Sequence, residues 1–169
     1  MTLNSPNGPW LLSRPGGGDP SLKAWDAADE LLLDVSFGQL KPIGDSGHAP
    51  RVLVVDDQFG ALTLGLSSFA PDVVADSAML TKALAYNSGL NASRLSVRPD
   101  RPVYSWLRPP EGRYDAIVMR IPRHSDYLAW LLRWANDVLA ANGLLLAGGM
   151  IKHLPDKSVN IFSDLVKTE

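Results

Sequence analysis

RVLVVDDQFGAL occupies residues 51–62. Val52-Leu53-Val54-Val55 is a continuous apolar, mostly β-branched run, the pattern of a strand buried on both faces. Two acids and a glycine follow as a turn. Leu62, Leu66 and Phe69 then recur at helical spacing over 61–69. A buried strand, a tight turn and a helix are the opening unit of a parallel α/β sheet.

The rest of the chain repeats that unit. Val73-Val74-Ala75 reads as a second strand, and 77–87 as a helix with Met79, Ala83 and Tyr86 on one side. Leu95–Arg98 is a candidate third strand. Pro99, Pro102, Pro109-Pro110 and Gly112 then mark a long loop. Ala116–Met119 is a fourth strand. Ser125 caps a helix over 126–141 with a clean apolar stripe, closed by Asn142-Gly143. Leu144–Ala147 is a fifth strand, and 156–167 a final helix with Val159, Phe162 and Val166 inward. Upstream, Asp19-Pro20 reads as N-cap and first position of an amphipathic helix over 21–34, carrying Leu22, Trp25, Ala28 and Leu32 on one stripe. Gly38, Pro42, Gly44 and Gly47 to Pro50 read as a loop. Residues 1–20 read as a flexible arm tacked down by Trp10, Leu11 and Leu12, leaving 21–169 as the α/β domain.

Composition narrows the function classes. The chain has 169 residues, 46% of them hydrophobic and 20% charged, as in a globular domain. No signal peptide or membrane-length apolar stretch is visible, so a soluble, cytoplasmic protein is expected. The absence of cysteine excludes disulfides and thiol catalysis, and His48, His124 and His153 are not spaced as metal ligands. The net charge of −2 hides an asymmetry. Residues 1–93 carry five Lys/Arg against ten Asp/Glu, whereas 94–133 carry eight arginines against four acids. Arginine forks match phosphates, so this block is a candidate polyanion-facing edge, with a solvated rim as the alternative. Trp25, Trp106, Trp130 and Trp134 read as core residues rather than base-stacking platforms.

In such folds ligands bind beyond the carboxyl ends of the strands. There lie Asp56 and Asp57, then Asp76-Ser77, then Arg120-Ile121-Pro122-Arg123, then Gly148-Gly149. An acid at the second position suits ribose hydroxyls or, as the more ordinary reading, a helix N-cap. The first turn has one glycine, Gly60, where a nucleotide cradle needs several, because Cβ atoms block close approach of the backbone. Phe59 could fill the space of a nucleoside. VLVVDD also resembles the start of a phosphoacceptor receiver domain. The matching later strand, however, ends in Arg120, which offers no carboxylate to phosphorylate.

The helix AWDAADE at 24–30, VLVVDDQFGAL at 52–62, Asp76-Ser77 leading to Asn87, YDAIVMRIPR at 114–123 and GLLLAGGMIKHL at 143–154 together resemble the N-terminal domain of the bacterial ribosomal RNA guanine-N2 methyltransferases. The resemblance spans residues 20–169. It implies a Rossmann-like class I S-adenosylmethionine (AdoMet) methyltransferase fold lacking the final strands. In that family the C-terminal copy binds AdoMet and carries an Asn-Pro-Pro-aromatic motif that holds the guanine amine. The N-terminal copy is a degenerate duplicate that supports folding and grips RNA. This sequence is similar to the degenerate copy: Arg120-Ile121-Pro122-Arg123 stands at the motif, and an arginine cannot accept a hydrogen bond from an amine.

The resemblance therefore implies no catalytic residue here. Asp56, Gly60 and Asp76 would line the cofactor if binding is retained, and Arg98, Arg101, Arg108, Arg120 and Arg123 are the candidate RNA contacts. Ribosomal RNA, a C-terminal catalytic domain and a homodimer closing the sheet edge are the expected partners. Two other readings stay open: a small competent AdoMet methyltransferase, and a cofactor-free interaction module.

Overall fold

In the computed structural model, residues 1–16, 19, 21–95, 102–154 and 157–166 are described. Five parallel strands form the central sheet: β3 (Val52–Val55), β4 (Asp72–Val74), β5 (Val103–Tyr104), β6 (Tyr114–Arg120) and β7 (Leu139–Gly148). Their spatial order is β5-β4-β3-β6-β7, so the chain reverses direction across the sheet between β3 and β6. That reversal opens a crevice at the carboxyl ends of these two strands.

Alternation along each strand feeds two cores. Val52, Val54, Val73, Ala116 and Val118 face α1 (Ala27–Asp45), α2 (Ala61–Gly65) and α3 (Ala78–Leu90). Leu53, Val55, Val74, Ile117 and Met119 face α4 (Ser125–Val138) and α5 (Ser158–Leu165). This is the α/β architecture expected, a parallel sheet covered on both faces. Among the described residues no helix is long and apolar enough to cross a membrane.

Several local expectations are corrected. The N-terminal stretch is no loose arm over its first half: β1 (Thr2–Ser5) and β2 (Gly8–Leu11) form an antiparallel hairpin that buries Leu3, Trp10 and Leu12. Asn91 exchanges hydrogen bonds with the backbone of Leu11, each 2.8 Å, and Asn87 does the same with Ser13 at 3.0 and 3.1 Å. These two fully buried amides act as a substitute strand edge for the segment leaving the hairpin. Leu11, by contrast, faces solvent.

The first long helix begins at Ala27, not after Asp19. Asp19 closes a local turn onto the Ser21 amide, while Asp26 and Asp29 form a reciprocal capping box. The helix then runs through Gly38 and Pro42, because Leu33 and Leu40 anchor it in the core at full burial. Leu22 lies before it and is exposed.

The third strand is Val103–Tyr104 rather than 95–98, of which Leu95 packs against the core and the remainder lies outside the described residues. α4 ends at Val138, and Asn142-Gly143 falls inside β7 rather than capping a helix. Gly143 sits at an irregularity between Tyr114 and Ala116, where a Cβ would come within 2.8 Å of the Tyr114 carbonyl oxygen. Val159 points outward rather than into the core, and Met79 and Tyr86 are exposed.

Candidate functional site

The crevice beyond β3 and β6 is a cleft of about 890 Å³, within the range of small-molecule sites. Its lining includes Asp56, Gln58, Phe59, Ser77, Arg120, Arg123 and Tyr127.

One wall is an ion-pair cluster. Arg120, the last residue of β6, turns toward the N-terminus of α1. Its Nη1 donates to Asp26 Oδ1 at 2.7 Å and Asp29 Oδ1 at 2.9 Å, and its Nη2 donates to Asp26 Oδ2 at 2.7 Å. The Arg120 side chain is only 13% exposed. The same carboxylates serve the helix: Asp26 Oδ1 accepts from the Ala28 amide, and Asp29 Oδ2 accepts from the Asp26 amide. Arg120 thus pairs with acids that already cap α1, a geometry favoured by both the helix dipole and the guanidinium fork. Arg120 holds the Asp26 carboxyl below its ordinary value. Burial dominates at Asp29 and pushes it up to about 6, although Arg120 pulls the other way. Arg120, one of the expected RNA contacts, is thus engaged by two carboxylates and largely buried.

The turn after β3 forms the second wall. Asp57 is buried and accepts from the Gly60 amide at 3.1 Å, the Thr63 amide at 2.9 Å and the Thr63 hydroxyl at 2.7 Å. Burial raises its pKa, and these donors oppose the rise. Gly60 has φ +94°, and a Cβ there would lie 2.7 Å from Leu84 Cδ2. The left-handed backbone favours glycine here, and the Leu84 side chain would have to shift to admit a Cβ. Asn87 donates to the Phe59 carbonyl at 2.9 Å, and Arg14 lies 5.1 Å from the Phe59 ring centroid.

The third group is polar and aromatic. Asp56 adopts φ 56°, and its Oδ2 accepts from the Tyr127 hydroxyl at 2.8 Å. Burial raises its pKa first, and the nearby Asp76 carboxylate adds to the rise. Asp76 is exposed and accepts from the Trp106 amide at 3.4 Å.

The structure therefore brings Asp56, Gly60 and Asp76 to the carboxyl end of the sheet, as expected of the first two strand ends. Asp76 stays exposed, whereas Asp56 and Gly60 are engaged within the protein. The bare face of Gly60 is turned onto Leu84, Gln58 and Phe59 line the cleft, and Tyr127 occupies Asp56. These residues do not fit an AdoMet cradle. Arg108 and Arg123 are exposed, whereas Arg98 and Arg101 lie outside the described residues. His124 precedes α4 and His153 lies in a short helical turn after β7, both at the surface. Among the described residues no group of three or more His, Asp or Glu is placed to hold a metal. The Asp26/Asp29 receptor for Arg120 was not anticipated. Its only trace in the sequence is a capping pattern of two acids three residues apart.

Comparison with known proteins gives a consistent family. The chain is 32% identical over 166 residues to a ribosomal RNA large subunit methyltransferase G of Alcanivorax borkumensis, covering 93% of this chain and 41% of the relative. It is 33% identical over 149 residues to the protein of that name from Stutzerimonas stutzeri, covering 86% of this chain and 37% of the relative. The chain thus spans about two fifths of the length of these curated relatives. Among solved structures, a T. thermophilus 16S rRNA N2 methyltransferase (RsmC) in complex with AdoMet and guanosine superposes with a TM-score of 0.69. The match is 22% identical and covers 96% of this chain and 44% of that one. At that identity the likeness establishes the fold, that of the class I methyltransferases. The model of the RLMG N-terminal domain matches residues 1–169, and with that full-length match on this fold the chain belongs to the RLMG N-terminal domain family.

Proposed function

We propose that this domain is the non-catalytic N-terminal part of a longer, cytoplasmic AdoMet-dependent ribosomal RNA guanine-N2 methyltransferase, and that it supports RNA binding and folding rather than methyl transfer. The single observation that carries this reading is the state of Arg120. At the strand end where an active copy presents acceptors to a guanine amine, this chain presents a donor. That donor is already committed to Asp26 and Asp29. A guanine amine approaching this position meets no free acceptor from that side chain.

The RNA-facing role falls to the other arginines of the 94–133 block, with Arg108 and Arg123 at the surface. The test is fluorescence anisotropy of a labelled ribosomal RNA fragment across a salt series. The joint replacement of Arg98, Arg101, Arg108 and Arg123 with alanine is expected to weaken binding and to flatten the salt dependence by about 0.7 log units per lost phosphate contact on single-stranded RNA. Undiminished binding by that variant overturns the reading.

A competent small methyltransferase is the second reading. It is favoured by one feature, the proximity of Asp56 and Asp76 at adjacent strand ends. It requires AdoMet to displace the Tyr127 hydroxyl from Asp56.

A further inference from the structure

Trp130 stands apart from the other tryptophans. It projects from α4 with 43% of its surface exposed, although a ring of this size is ordinarily much more fully covered. It is nonetheless held rigidly. Trp106 packs perpendicular to it at 4.9 Å between centroids, and Trp106 is braced in the same way by Trp134, also at 4.9 Å. Tyr127, one turn back on α4, lies nearly parallel to Trp130, with 16° between the planes and 6.0 Å between the centroids. Tyr127 is itself fixed by its hydrogen bond to Asp56.

Three exposed arginines lie on the segments that carry these rings. Arg133 is one turn further along α4 and exposed, which places it beside Trp130 on the helix surface. Arg123 lies just before α4, one turn from Tyr127, and lines the cleft. Arg108 closes the turn that carries Trp106 by donating its amide to the Ser105 carbonyl at 3.0 Å. Among the described residues none of these three arginines makes an ion pair. Asp126, one turn before Trp130, and Asp137, one turn after Arg133, are exposed acids on the same side of α4, and the exposed Asp76 accepts from the Trp106 amide at 3.4 Å.

We infer that Trp130 is a stacking platform for an unpaired RNA base, with Arg108, Arg123 and Arg133 holding the flanking phosphates. This rests on the proposed RNA-contact role and specifies where on the domain it is exercised. A rigid exposed ring loses little entropy on stacking and accepts any base, and interleaved arginines supply the backbone contacts of single-strand binding. Leu107 is exposed on the Trp106 turn and offers an apolar surface that a protein partner could also use. The exposed Arg133 beside the ring, with Arg123 before α4 and Arg108 on the Trp106 turn, favours the polyanion.

The experiment titrates this chain with a fluorescein-labelled single-stranded ribosomal RNA fragment and with the same sequence as a duplex. It compares the unsubstituted protein with Trp130→Ala, Trp130→Phe and the double variant Arg123→Ala/Arg133→Ala, each checked for folding by its thermal unfolding. Trp130→Ala is expected to weaken single-strand binding about 10-fold while leaving the salt slope unchanged. Trp130→Phe is expected to restore much of the loss, and duplex binding to be indifferent to the ring. The arginine variant is expected to reduce the salt slope. If Trp130→Ala binds single strands normally while the arginine variant weakens, the platform is overturned and the RNA-contact role stands. If no protein binds either RNA, both fall, and an exposed Trp130–Leu107 surface for a protein partner takes their place.

Discussion

Arg120 and Asp26 lie 94 residues apart in sequence and are joined by two parallel hydrogen bonds of 2.7 Å, which fasten the end of the fourth core strand to the start of the first long helix. Asp29 completes the cluster at 2.9 Å. Removing the arginine strands two carboxylates, one of them 11% exposed. Arg120→Ala is expected to lower unfolding stability by about 3 kcal/mol. Arg120→Lys, which keeps the charge and loses the fork, is expected to fall between. Urea unfolding measures both. A loss in Arg120→Ala below about 1 kcal/mol, the ceiling for an exposed pair, contradicts this role.

The same cluster makes stability depend on pH. The Asp29 carboxyl sits at about 6 in the fold, above its ordinary 3.8. Between those values the folded protein binds a proton that the unfolded chain does not. The Asp29 contribution to stability therefore falls as pH rises from 3.8 to about 6, by about 2–3 kcal/mol across the window. Asp26 is lowered by Arg120 and acts in the opposite sense, its contribution fading as pH drops below 3.8. Asp29→Asn is expected to remove the decline between pH 4 and 6. An unchanged pH profile in that variant contradicts the assignment.

Gly60 tests whether the first turn is built for packing. Gly60→Ala meets both the positive φ and the Leu84 side chain, and a loss of about 2–3 kcal/mol is expected. In a Leu84→Ala background part of that loss is relieved, giving a coupling of about 1 kcal/mol in a double-mutant cycle. Strict additivity of the two substitutions contradicts the packing role.

Asn87 ties the exit of the N-terminal hairpin to α3 and to the Phe59 carbonyl. Asn87→Leu leaves the Ser13 amide and two carbonyl groups unpaired, at a cost of about 2–3 kcal/mol. Hydrogen exchange is expected to accelerate first at Thr2–Ser13. Acceleration spread evenly over the sheet contradicts a local tie.

The central strands were legible in the sequence because VLVV and AIVM are apolar runs buried on both faces, and the half-buried edge run LLLA is apolar in the same way. The hairpin at residues 2–11 was not. Its turn residues Pro6 and Asn7 resemble a loop, and what orders it is the distant pair Asn87 and Asn91. α1 likewise passes Gly38 and Pro42 because Leu33 and Leu40 are held by tertiary packing. In the site, the positions of Asp56, Gly60 and Asp76 followed from the strand ends. The fate of Arg120 did not, since a charge count gives its sign and not its partner. Trp130 was misjudged for a related reason. Its helical spacing is compatible with the core stripe, and only the packing of Trp106 and Trp134 shows how much of its ring remains outside.

The most direct test of the non-catalytic reading is calorimetric titration of this 169-residue chain with AdoMet, its folded state verified by circular dichroism. The account predicts no saturable heat, because Tyr127 holds Asp56, Gly60 faces Leu84, and Gln58 and Phe59 line the cleft. Saturable micromolar binding would contradict it and raise the competent-methyltransferase reading in its place.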